Sequence, residues 1–270
     1  MIKKTLLIAL VACTSAFAAD VQISTVKELP SESSIPAGPL GEAIKLGRDI
    51  INDTQTHAKP YVSNGLNCTS CHQAGGTKPG ALPFPGLSGQ FPLYNARAGK
   101  VITLQDRVNG CFARSMNGKP LPLGSTEMTA VIAYMTWLSK DIPSGQQWHG
   151  RGAPKVDLAA LTPNVANGKK VYGAQCASCH GAEGAGLYTD GKPTFPALWG
   201  EKSFNVGAGM ARLLTATPFV KANMPLTNPG SLSAQDALDV SAYFTTQPRP
   251  DLAAKAGDWP HGGRPKDARY

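Results

Sequence analysis

The sequence predicts a mainly α-helical protein made of two similar domains in tandem. Three observations carry that prediction. A CxxCH pentapeptide occurs twice, at Cys68-Thr-Ser-Cys71-His72 and Cys176-Ala-Ser-Cys179-His180; helical patterns flank both copies in the same order; and a Pro- and Gly-rich stretch separates the halves. In the second half, Asn167-Gly168-Lys-Lys-Val-Tyr172 reads as a short helix ahead of the motif, with Gly168 and Tyr172 four apart on one face. Beyond a loop, Ser233 caps a run with apolar positions at helical spacing through Tyr243 and Phe244. The first half has a helix within residues 41–54, the motif, a Gly- and Pro-rich loop, then a helical run from Ser125 through Tyr134 and Trp137 to Leu138. The expected boundaries are 1–18 for a leader, 19–145 and 164–250 for the domains, 146–163 for a linker and 251–270 for a tail.

The chain begins MIKKTLLIALVACTSAFAAD. Lys3 and Lys4, the apolar run from Leu6 and the small-residue pattern Ala16-Phe17-Ala18 have the form of a signal peptide cut after Ala18, which predicts export to the periplasm. Two alternatives stand beside it. One is a membrane anchor, although this run is short of the roughly 20 residues a spanning helix needs and no later stretch is long and apolar enough. The other is a lipobox at Leu10-Val11-Ala12-Cys13.

Without the leader 252 of 270 residues remain, enough for two ordinary domains. Charged residues are only 16%, and 29 glycines with 22 prolines indicate much ordered loop. Formal charge is +8, or +6 without Lys3 and Lys4. Such a surface attracts anions in general, but the chain has no Lys/Arg run and no basic-aromatic interleaving, which argues against nucleic acid as a partner.

Of six cysteines, Cys13 lies in the leader and four belong to the repeated motifs, leaving Cys111 alone. CxxCH is the attachment pattern of c-type haem. Two thiols one helical turn apart add to the two vinyl groups of one porphyrin, and the adjoining imidazole lies under the iron. His149 and His261 do not complete a four-ligand zinc site at any familiar spacing. Two covalently bound haem c groups follow, one on Cys68, Cys71 and His72, the other on Cys176, Cys179 and His180.

The sixth iron ligand decides potential and chemistry. In the second half Met224, followed by Pro225, is the candidate, with Met210 and Lys221 as rivals; a His/Met pair raises the potential. In the first half Met116 stands as far beyond His72 as Met224 does beyond His180. Cys111 competes with it, because thiolate binds ferric iron strongly and is favoured beside cations, here Arg107, Arg114 and Lys119.

Each half resembles a class I cytochrome c domain, in which the first and last helices cross at a small residue and an aromatic. A more specific resemblance rests on Gly65-Leu-Asn-Cys68-Thr-Ser-Cys71-His72, Val108-Asn-Gly-Cys111-Phe-Ala-Arg114-Ser115-Met116-Asn117-Gly118, Glu127-Met128 with Tyr134 and Trp137-Leu138-Ser139, and Asn223-Met224-Pro225. Together these resemble the dihaem thiosulfate dehydrogenases, also called tetrathionate-forming enzymes. The resemblance implies Cys111 as distal ligand of the first haem and Met224 of the second. Some members carry a lysine directly before that methionine; Asn223 stands there in this chain, which favours a steady His180/Met224 pair.

The implied reaction joins two thiosulfate anions into tetrathionate, reversibly in principle, and releases two electrons. Fixed positive charge is needed to bring two dianions together. Arg97 and Arg107 are the expected anion-binding residues, with Ser115 and Lys119 secondary; Arg114 reads equally as a surface charge or a haem-propionate partner. The expectation is that Cys111 leaves the iron and bonds transiently to the outer sulfur of one thiosulfate before a second attacks. Electrons would pass from the lower-potential first haem to the second and on to an external acceptor, a small c-type cytochrome or an iron-sulfur protein. The alternative classes are a dihaem electron carrier with Met116 as a second methionine ligand, and a dihaem peroxidase with an open iron position.

Overall fold

In a computed structural model, which describes residues 21–270, two helical domains pack against each other. The expected leader lies outside the described residues, among which no helix is long and apolar enough to cross a membrane. The first domain contains helices α1 (Pro39–Asn52), α2 (Thr54–His57), α3 (Gln73–Gly76), α4 (Leu104–Arg114) and α5 (Thr126–Leu138), with a hairpin of β1 (Leu93–Asn95) and β2 (Lys100–Ile102). The second contains α6 (Val165–Gln175), α7 (Ala177–His180), α8 (Leu213–Asn223) and α9 (Ala234–Thr246), with a hairpin of β3 (Leu187–Thr189) and β4 (Lys192–Phe195).

Side-chain caps start the long helices where the sequence places small polar residues. Ser125 Oγ accepts the Met128 amide, Ser233 Oγ the Asp236 amide, and Asn164 Oδ1 the Asn167 amide. Thr103 and Asp106 cap α4 reciprocally. This helix runs through a stretch expected as loop, and Cys111 sits on it.

The first and last helices of each domain cross, α1 on α5 and α6 on α9, and a glycine makes each crossing close. A Cβ on Gly47 would lie 2.0 Å from Ala130 O and 2.8 Å from Tyr134 Cβ; on Gly168 it would lie 2.0 Å from Asp239 O and 2.9 Å from Tyr243 Cβ. The small-residue and aromatic crossing therefore exists twice, in matching form. Met128, Val131 and Leu138 of α5 and Ala237, Val240 and Phe244 of α9 fill the two cores.

Three buried asparagines tie the domains together. Asn64 Nδ2 donates to Ser115 O and, across the boundary, to Ser203 O. Asn205 Nδ2 donates back to Ala113 O and Asn117 Oδ1, and Asn223 Nδ2 to Gly80 O. The segment expected as linker packs on the first domain: Trp148 is buried, and Gly80 N donates to Gly150 O. The tail also folds back, with Asp258 receiving both terminal nitrogens of Arg114 at 2.9 and 2.7 Å.

Candidate functional site

Cys111 lies one turn along α4 from Arg107, whose Nη1 is 3.2 Å from its Sγ. Burial pushes the Cys111 thiol up, but the guanidinium and the His72 imidazole more than offset this and bring it down to about 6 from 9.0. The thiolate in turn holds Arg107 above its ordinary value, chiefly by charge attraction. The attachment cysteines go the other way: burial pushes Cys68 and Cys176 up to about 11 and Cys71 up to about 12. Cys111 is thus set apart from these three thiols in chemical character, and the His72 side chain belongs to its surroundings.

Both motifs fit a c-type haem. His72 Nδ1 lies 2.5 Å from Leu82 O and His180 Nδ1 2.9 Å from Pro196 O. A carbonyl oxygen only accepts, so each Nδ1 carries the proton and each Nε2 lone pair is left to bind a metal. In the second domain Cys176, Cys179 and His180 line a cavity of about 630 Å³, with Phe204, Phe219, Val220, Val240 and Phe244 as apolar walls. Met210 and Met224 both line it, so either thioether could reach a bound group. Lys221 is engaged elsewhere, its Nζ donating to Gly230 O at 2.7 Å. Gly65, Leu66, Cys71, Gln73 and Ala74 close the same cavity from the first domain, which brings the two attachment segments side by side.

The remaining candidates are dispersed. Met116 is buried at 3% exposure in the hydrophobic core. The chain reverses just after it, where Asn117 adopts a left-handed φ of 46°. Ser115 is adjacent to Cys111 through its backbone, its amide donating to Cys111 O. Lys119 Nζ sits 5.9 Å over the Tyr61 ring.

Arg97 lies between the hairpin strands β1 and β2. Its Nη1 donates to Gly207 O at 2.6 Å, its guanidinium lies 4.7 Å over Trp259, and Nε is 3.8 Å from Asp258. Arg114, read from sequence as surface charge or propionate partner, is committed to Asp258. Sequence reasoning missed Arg151, a second cation in the expected linker, held below its ordinary value by burial and then by the charge of Arg107. Nothing local in the sequence connects it with α4.

A family model described as "SoxA/TsdA, cytochrome c domain" matches residues 54–144, and one described as "Cytochrome C oxidase, cbb3-type, subunit III" matches residues 163–244. Together with the crossed helices and the two attachment motifs, they define a protein of two tandem cytochrome c domains carrying two covalent haem c groups. Thiosulfate dehydrogenases of Psychrobacter arcticus and Allochromatium vinosum are 48% and 43% identical over 91% and 85% of this chain, and over 75% and 87% of their own lengths. The chain belongs to the thiosulfate dehydrogenase family. A solved thiosulfate dehydrogenase (TsdBA) from Marichromatium purpuratum superposes with a TM-score of 0.79 at 37% identity, covering 82% of this chain and 49% of that one.

Proposed function

We propose that this protein oxidises thiosulfate and couples two molecules into tetrathionate, with Cys111 as the group that carries one of them. The observation behind this reading is the Cys111 thiol held as a thiolate by Arg107. A thiolate is the nucleophilic and sulfur-bonding form of cysteine, and the cation beside it offsets the charge of an arriving dianion.

The chemistry balances in two stages. Cys111 thiolate and the outer sulfur of one thiosulfate form a sulfur-sulfur bond with loss of two electrons. A second thiosulfate then attacks the same outer sulfur, releasing tetrathionate and restoring the thiolate with no further change in oxidation level. The two haem groups supply one-electron sinks for the first stage. Arg107 orients the sulfonate oxygens through its planar fork of donors and keeps Cys111 deprotonated for the next turnover. Arg151 adds to the positive field, and Met224 completes the second-domain site through which electrons leave to an external acceptor, a small c-type cytochrome or iron-sulfur protein. The proposed setting is the periplasm.

Replacing Cys111 with Gly tests the reading, with tetrathionate formation assayed using ferricyanide as acceptor. Turnover should be abolished while both haems remain attached. Undiminished turnover sinks the proposal and leaves a dihaem electron carrier.

A further inference from the structure

Phe204 and Phe244 line the cavity that contains Cys176, Cys179 and His180, and Arg249 rests on both. Its guanidinium stacks 4.4 Å over the Phe204 ring, and its Nη2 donates to Phe244 O at 2.7 Å. The other two nitrogens, Nε and Nη1, are buried without a hydrogen-bond partner. Nη1 of Arg269, near the end of the tail, is in the same condition.

Burial, then the neighbouring Arg269 charge, brings Arg249 down to about 9, so the two cations work against each other. No Asp or Glu among the described residues forms an ion pair with either. Each unsatisfied buried donor costs on the order of 1–3 kcal/mol, and more when charged. Three such nitrogens on two adjacent cations therefore call for an anion with several acceptor oxygens.

We propose that Arg249, supported by Arg269, is the anchor for a propionate carboxylate of the second-domain haem. The covalent anchors of that haem and the residues carrying Arg249 line one cavity, so the carboxylate comes attached to the group the cavity holds. Nε and Nη1 lie on different edges of the guanidinium, so a carboxylate oxygen accepts singly from either, and Arg269 Nη1 adds a further charged donor. The tail then has a role beyond covering surface: Arg269 brings a second positive charge to the exit haem. This assignment rests on the haem site alone and is independent of the thiosulfate chemistry.

A bare propionate carboxylate stabilises ferric over ferrous haem and a cation that neutralises it offsets this, so removal of the cation lowers the potential. The test is spectroelectrochemical titration of the full-length protein carrying both haems. Arg249→Gln should shift the haem 2 redox equilibrium roughly ten-fold toward the oxidised form, the effect of one charge at a distance of order 10 Å in an effective dielectric of about 20. For a one-electron couple a ten-fold change corresponds to about 59 mV. Haem 1 should hold its potential, and Arg249→Lys should restore part of the change.

An unchanged haem 2 potential in folded, fully loaded Arg249→Gln overturns the assignment, as does a fall that lysine restores not at all. A free inorganic anion in this position would make the wild-type haem 2 potential follow added sulfate at constant ionic strength, which also overturns it. If Arg249→Gln does not take up haem, Arg269→Gln decides by the same criterion, with a smaller fall expected in the same direction.

Discussion

The Arg107 guanidinium and the Cys111 thiol meet at 3.2 Å on one face of α4. One helical turn separates them, so the helix itself places the proposed nucleophile beside a cation.

That pairing predicts an acid limit to activity. Cys111 is held near 6 against an ordinary 9.0, so it stays a thiolate at neutral pH and is protonated as pH falls through about 6. The same depression contributes stability that is fully present above the ordinary value and is lost as pH drops toward about 6. Arg107→Gln should move the acid limb of the pH-rate profile upward and reduce turnover at pH 6–7 more than at pH 9. A profile that falls uniformly at all pH values would show that Arg107 does not tune the thiol.

For the second haem, Met224→Leu should abolish the methionine-to-iron charge-transfer absorption and lower the haem 2 potential, because thioether ligation raises it. Met210→Leu should leave both unchanged, although both methionines line the cavity. The reverse pattern would assign the ligand to Met210.

At the domain cores, Gly168→Ala should destabilise by about 1–3 kcal/mol, since its new Cβ meets a backbone oxygen that cannot swing aside. Gly47→Ala should behave alike in the other domain. Chemical denaturation reads this as a lower midpoint at unchanged slope.

The tail predicts a fourth result. Asp258, with its side chain 5% exposed, faces Arg114 in a two-pronged pair and has Arg97 nearby. Asp258→Ala leaves two partly buried cations uncompensated, an effect of about 3–5 kcal/mol for pairs of this kind. Thermal unfolding should shift down, and limited proteolysis should cut the tail from its contact with α4.

Much of this architecture was legible because it depends on local pattern. CxxCH is contiguous, caps lie within three residues of what they cap, and the crossing glycines sit in recognisable helical runs. Met116 matches Met224 in offset from its histidine, and spacing alone gives no sign that its side chain is buried in the hydrophobic core. Arg97 stands in the segment leading into Cys111, and its contacts with Asp258 and Trp259 are ones that no local pattern encodes. Asp258, Arg151 and Arg249 act on partners distant in sequence, and no short motif announces such pairings.

The asparagine bridges have a consequence for timing. Asn64 and Asn205 are each almost fully enclosed and bind backbone oxygens on the opposite side of the domain boundary. A swivel between the halves would strand these amides in a dry interface, so the spacing between the two attachment segments is set once, at folding. In the proposed function, electrons crossing from one half to the other would therefore tunnel over a fixed gap, with diffusion entering only at the hand-off to another molecule.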